Sequence, residues 1–301
     1  MHFLSVAPFS VTLILPVAAL VTKTSSLQSK AYIMTEKQAH ADEKKWALQF
    51  DGAFDSFSFV DPVYLQEQDI HDMLANGTID SNYKSWSVGM DGGPAWNADP
   101  KNLSANPKFP RELGCTLAHR SAWKQFLHEH SGGLAAPWAA FFEGDTILQR
   151  DFRSRARTLQ SKLPTLPAWD VIYMGHCLEE CAGSQSPRSV GIGGNVYVRS
   201  ARQPLCTHSY LLSVRGARQL LKLTMPLKQA VDERMRAAHQ SHKIDSMSVC
   251  PPIAIQPWQT ERSGGFVESS MFAGATPDQY NGDKRRHFRA YLSYVRSLTL
   301  D

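Results

Sequence analysis

The sequence predicts an α/β fold, a largely parallel sheet with helices on both faces, and three observations carry that expectation. Short, continuously apolar runs such as "WAAFFE" and "WDVIYMG" are strand-length and do not alternate with polar residues, so they read as strands covered on both sides. Longer segments repeat their apolar residues at helical spacing. The two kinds alternate along the chain, which argues for a sheet with helices packed on it. A chain of 301 residues, 43% hydrophobic and 20% charged, can bury a sizeable core, and no long Pro/Gly/Ser linker or charge block divides it. One domain over residues 31–257 is expected, after a leader and stem (1–30) and before a partly irregular tail (258–301).

"AYIM", Ala31 to Met34, is the first strand, and the polar stretch ending near Trp46 and Leu48 is a helix, a βα opening. "FSFVDPVY" alternates as a second strand, interrupted by Pro62. Gln66 to Pro110 is rich in Asn, Gly, Asp and Pro around isolated Trp86 and Trp96, and reads as a long surface excursion. In "GCTLAHRSAWKQFLHEHSGG", Ala118, Ala122, Trp123, Phe126 and Leu127 keep helical spacing until Gly132 and Gly133 stop the helix. "WAAFFEGD" is a buried strand. Phe152, Ala156, Leu159 and Leu163 mark the next helix, and "WDVIYMG" the next strand. "NVYVRS" and "CTHSYLLS" add strands, Ser213 is the N-cap of "VRGARQLLKL", and a short helix "AVDERMRAAHQ" precedes a last strand near "SVCPPIAIQP".

The run from Phe3 to Thr22 carries no charge, which suits a secretory signal or a short membrane anchor. Pro8 and Pro16 weaken it as a spanning helix, and only His2 stands where a signal's basic region would be. Two N-x-S/T sequons, at Asn76 and Asn102, agree with exposure in the secretory pathway, in the lumen of the ER or Golgi or outside the cell. The net charge of +4 is mild and its basic residues are scattered, which argues against nucleic acid as a partner.

The chemistry concentrates in "WAAFFEGDTIL", where an apolar run leads into Glu143 and Asp145. Buried, unpaired carboxylates cost several kcal/mol, so the pair needs solvent or a partner such as a cation. In an extended strand the two would share a face with Cα atoms roughly 7 Å apart. Oxygens on one hard cation each lie about 2.0–2.6 Å from it, so the chain must bend, and Gly144 is where it can. The site would then sit at the carboxyl end of a strand, where open α/β sheets bind ligands. By itself E-G-D reads first as a strand-end turn with both acids solvated.

Five cysteines are present. Cys177, Cys181 and Cys206, beside His176 and His208, hold enough soft ligands for zinc, but H-C-x3-C lacks the usual knuckle spacing, and a disulfide is the simpler outcome in a luminal protein. Cys115 reads as a free buried thiol, and His119 beside it as a structural hydrogen-bonding group. "GIGGN" fits neither a dinucleotide fingerprint nor a phosphate loop, and no G-x-S-x-G is present.

"GCTLAHRSAW", "WAAFFEGDTIL", "WDVIYMGHC", "CTHSYLLSVRGARQLL" and "AVDERM" are similar, in order and rough spacing, to segments of glycosyltransferase family 25, the procollagen and bacterial lipooligosaccharide galactosyltransferases. The resemblance covers about Gly114 to Met235. It implies a GT-A type nucleotide-diphosphosugar fold and a UDP-sugar donor whose hexose, galactose by analogy, passes to an acceptor hydroxyl on a glycan or protein. Glu143 and Asp145 match the first and last acids of the family's E-D-D and so imply the metal ligands, with Mn²⁺ or Mg²⁺ bridging them to the diphosphate. Asp232 matches the Asp of its P-V-D segment and is the candidate base for an inverting transfer, beside the plainer reading of an acid in a helix's first turn. His208, on a strand expected near the site, is a candidate donor contact. Fungal-type relatives look similar at Cys177 and Cys206, which favours that pair over Cys181 with Cys206.

Three departures stand out. Gly144 replaces the middle acid, Ala118 stands where the family has Ser, and "TEKQAHADEK" replaces its asparagine-leucine and arginine-rich opening segment. A non-catalytic sugar or nucleotide binder is therefore the first alternative, and a glycosidase using Glu143 and a second carboxylate the next.

Overall fold

The computed structural model describes residues 28–35, 46–84, 109–130, 137–177, 179, 181 and 189–256. The uncharged run at 3–22, the Asn102 sequon, Gly132, Gly133 and the tail from residue 257 lie outside them.

Eight strands form the central sheet: β1 (Lys30–Met34), β2 (Ser56–Val60), β4 (Trp138–Glu143), β6 (Val171–Cys177), β7 (Val190–Gly193), β8 (Val196–Ser200), β9 (Leu205–Ser213) and β11 (Ser246–Cys250). Their order is β2-β1-β4-β9-β6-β11-β8-β7. β9 runs antiparallel to β4 and β6, and β8 antiparallel to β11 and β7, while β2·β1, β1·β4 and β6·β11 are parallel pairs. Most strands therefore point one way, as the apolar runs require.

Alternation along each strand feeds two cores. Ala31, Ile33, Phe142 and Met174 face Trp46, Phe50 and Phe152, the last on α3 (Phe152–Lys162). Tyr32, Phe141, Tyr173, Tyr210 and Leu212 face α2 (Phe109–Glu129), α4 (Val214–Leu223) and α5 (Val231–Gln240) through Trp123, Phe126, Leu220 and Met235. Both sheet faces are covered, so strand-length runs stay apolar throughout. Ser213 caps α4 by accepting from the Gly216 N–H at 2.9 Å.

The expected surface excursion from Gln66 to Pro110 is corrected over residues 66–84; residues 85–108 lie outside the described ones. The corrected stretch holds α1 (Glu67–Ala75) and β3 (Ile79–Lys84), and β3 pairs in parallel with β10 (Leu227–Gln229). Ile70, Ile79 and Tyr83 bury themselves against Phe109, Leu113 and Leu227 as a third, small core. The polar residues between them face outward, which masked the apolar spacing.

Candidate functional site

The carboxyl ends of β1 and β4 and the amino end of the antiparallel β9 meet at the E-G-D turn. β1 and β4 are in register with Met34 opposite Glu143, and the Gly144 N–H continues the ladder by donating to the Met34 carbonyl at 2.9 Å. The Thr146 N–H then donates to the Glu143 carbonyl at 3.0 Å, closing a turn, while the Thr146 hydroxyl donates to the His208 carbonyl at 2.6 Å. Neighbours on both sides thus fix the turn.

Gly144 contributes room rather than a left-handed backbone, since its φ lies outside that region. A Cβ there would run into the Thr35 hydroxyl and stand 2.7 Å from Thr35 Cβ. Thr35 fills the space that a middle acid would need. Gly144→Asp is therefore expected to destabilise the protein by about 1–3 kcal/mol through overpacking, and Thr35→Gly in the same chain should recover most of it. Thermal melts of both single variants and the double variant test this coupling; additive effects would contradict it.

Glu143 is partly buried and fully engaged. Its Oε1 accepts from the Thr207 hydroxyl at 2.7 Å and lies 3.2 Å from His119 Nε2. The donor logic fixes the His119 tautomer. Trp123 Nε1–H can only donate, and it does so to the Tyr210 oxygen at 2.7 Å. Tyr210 in turn gives its proton to His119 Nδ1 at 2.8 Å, which leaves Nε2–H to donate to Glu143. Burial opposes ionisation of Glu143, yet the hydrogen bonds from His119 and Thr207 hold its carboxyl below the usual range. This gives His119 the structural role expected of it, in service of the acid.

Asp145 behaves oppositely. Burial first, and then the charge on Glu143, push its carboxyl well above the usual range. Gln256 Nε2 is the donor common to the pair, 3.2 Å from Glu143 Oε2 and 3.5 Å from Asp145 Oδ2. Both carboxylates thus come within hydrogen-bond reach of one amide nitrogen, and carboxylate oxygen is the donor type that a hard cation takes.

Asp232 opens α5 and is shared between two elements. Oδ1 accepts from the Glu233 N–H at 2.8 Å, and Oδ2 from the Cys206 N–H of β9 at 3.3 Å. Burial and the charges of Glu233 and Glu143 raise its carboxyl to about 6 against these bonds. Successive residues of β9, Cys206 and Thr207, therefore hold Asp232 and Glu143, which brings the three sequence-predicted acids to one end of the sheet. Cys206 adopts φ 64°, an uncommon conformation for a residue other than glycine. Its disulfide to Cys177, with Cα atoms 5.5 Å apart, fastens it there.

His208 lies inside the fold. It is fully buried, with Nε2 3.3 Å from the Ala254 carbonyl, and burial lowers it to about 4. A Cβ on Gly175 would collide with its ring, so the glycine exists to admit it. His208 braces the strand that carries Gln256 and has no contact with either acid's carboxylate among the described hydrogen bonds.

A second disulfide, Cys181–Cys250 with Cα atoms 5.3 Å apart, was not expected. Both disulfides consume the sulfurs that the zinc reading required. Cys115 is the free thiol, pushed well above its usual value by burial and by the Glu143 and Asp232 charges, so it stays protonated. The sequence also gave no sign of Thr35, Thr207 and Gln256, whose parts depend on contacts far away in the chain.

Comparison with known proteins adds a family. Residues 25–235 match the family model described as glycosyltransferase family 25 (LPS biosynthesis protein). Procollagen galactosyltransferase 1-A of Xenopus laevis is 30% identical over 139 residues, 46% of this chain and 21% of that protein. A glycosyltransferase 25 family member of Anopheles gambiae is 23% identical over 229 residues, 72% of this chain and 36% of that protein. The aligned part is thus well under half the length of these curated relatives.

Proposed function

This chain belongs to glycosyltransferase family 25, and we propose that it transfers a hexose, galactose by analogy with the named relatives, from a UDP-sugar to a hydroxyl of a glycan or protein acceptor. The observation that carries this reading is that Glu143 Oε2 and Asp145 Oδ2, at the carboxyl end of β4, both lie within reach of the one amide nitrogen of Gln256. Both acids would hold a divalent cation, Mn²⁺ or Mg²⁺. Bound there, it would act as a Lewis acid and offset the charge that grows on the UDP leaving group.

The chain's own residues do the rest. His119 and Thr207 saturate Glu143 Oε1, which keeps that carboxylate ionised and leaves Oε2 for the shared site. The backbone N–H groups of Cys206 and Glu233 orient Asp232, and its carboxyl near 6 is ionised at neutral pH yet more basic than an ordinary aspartate. Such a group suits removal of the acceptor hydroxyl's proton as the sugar–oxygen bond forms.

Entry into the secretory pathway belongs to the same proposal. Two disulfides suit an oxidising compartment, and Asn76 of the first sequon is exposed. No described helix is long and apolar enough to cross a membrane. Gly144 in place of the middle acid, with Thr35 in its space, favours the alternative of a binder without turnover. Thermal melting with ligands tests the site itself: UDP with Mn²⁺ should raise the melting temperature more than either alone, and a response to neither would contradict the proposal.

A further inference from the structure

Gln256 lies beyond the family match, which ends at residue 235, yet its amide nitrogen reaches both acids. The fold brings it there by register. β12 (Ala254–Ile255) pairs antiparallel with β5 (Ile147–Leu148), with Ile255 opposite Ile147, so the next residue lies back over the E-G-D turn. That short strand is tied down at several points. The Ile253 N–H donates to the Met174 carbonyl at 2.9 Å, the Gln149 N–H to the Ile253 carbonyl at 3.2 Å, and His208 Nε2 meets the Ala254 carbonyl at 3.3 Å. Gln256 is 4% exposed, so its amide is a buried, positioned group rather than a surface side chain.

An amide bridging two carboxylates supplies donors but no positive charge. A glutamine amide carries an oxygen opposite its nitrogen, and the last side-chain torsion is soft, so half a turn exchanges a donor for an acceptor in the same place. Side-chain amide oxygens are ordinary ligands for hard cations. We propose that Gln256 is a third protein ligand of the cation site, bridging Glu143 and Asp145 through Nε2 in the arrangement described and presenting Oε1 when a divalent cation lies between them. This rests on the reading of Glu143 and Asp145 as cation ligands.

The test is Mn²⁺ affinity by calorimetric titration of the full chain, a readout independent of turnover. Gln256→Ala removes the ligand and should weaken Mn²⁺ binding at least about tenfold. Gln256→Glu keeps an oxygen and adds a charge, so it should bind Mn²⁺ as tightly as the wild type or more tightly. Tighter or unchanged binding by the alanine variant would make the amide a plug or a bystander and overturn the proposal. Should the alanine variant not fold, weaker binding by the glutamate variant overturns it equally. Asp145→Asn serves as the control: if it and the wild type take up Mn²⁺ alike or not at all, the cation reading fails and this proposal with it. A wild type that binds, an Asp145→Asn that does not, and Gln256 variants that match the wild type would refute the third ligand alone.

Discussion

Asp145→Asn is expected to lower metal-dependent sugar transfer by more than a hundredfold while leaving the fold intact. The substitution keeps the side chain's shape and removes the charge that Asp145 would offer a cation. Losing a ligand that acts mainly as charge develops on the leaving group costs about 3 kcal/mol or more of barrier. Stability should move the other way. A carboxyl raised on folding contributes stability that is present at low pH and lost as pH rises through its folded value. Above neutrality Asn is relieved of that loss, because it carries no charge to set against Glu143. The variant should therefore melt at or above the wild-type temperature at pH 8 without added metal. Turnover equal to wild type across a Mn²⁺ titration would reduce E-G-D to a turn.

Asp232→Asn should cost between about a hundredfold and ten-thousandfold in turnover, the usual range for removing a positioned base. It should spare the melting shift produced by UDP with Mn²⁺, since Asp232 is held by Cys206 and Glu233 rather than by the E-G-D turn. The pH dependence separates a base from a helix-terminal acid. Only the ionised carboxylate can accept a proton, so wild-type turnover should fall as pH drops below about 6, and the residual activity of the variant should lack that limb. Folding linkage has the opposite sign: the penalty of ionising a raised carboxyl is absent near pH 4 and complete above about 6, so the variant should gain stability relative to wild type over that window. Wild-type turnover in the asparagine variant would leave Asp232 as an acid favoured by the helix dipole alone.

The strands and the E-G-D bend were legible because they follow from local pattern. "WAAFFE" and "WDVIYMG" are apolar on both faces, and the structure buries both faces. The two acids on one face likewise required a turn after Glu143. What escaped was decided by pairing between distant segments. α1 and β3 become core only when β10, some 140 residues later in the chain, pairs with β3. Cys250 reaches Cys181 because β11 lies beside β6. Thr207 and Gln256 are unremarkable letters in sequence, and acquire their parts because β9 and β12 carry them to the end of β4. Gly144 was legible as a bend but not as a space, since the neighbour that fills it, Thr35, follows a different strand. The Cys177–Cys206 bond came from the resemblance, and the geometry agrees with it.

Sugar transfer is measured as UDP release from UDP-galactose by the purified full chain with a hydroxylated acceptor, with and without Mn²⁺, alongside other UDP-sugars. Mn²⁺-dependent release is expected, coupled to transfer of the sugar and fastest for a UDP-hexose. Protection from melting by UDP with no release from any UDP-sugar would contradict it in favour of a binder. Cleavage of a glycoside without any nucleotide would contradict it in favour of a hydrolase.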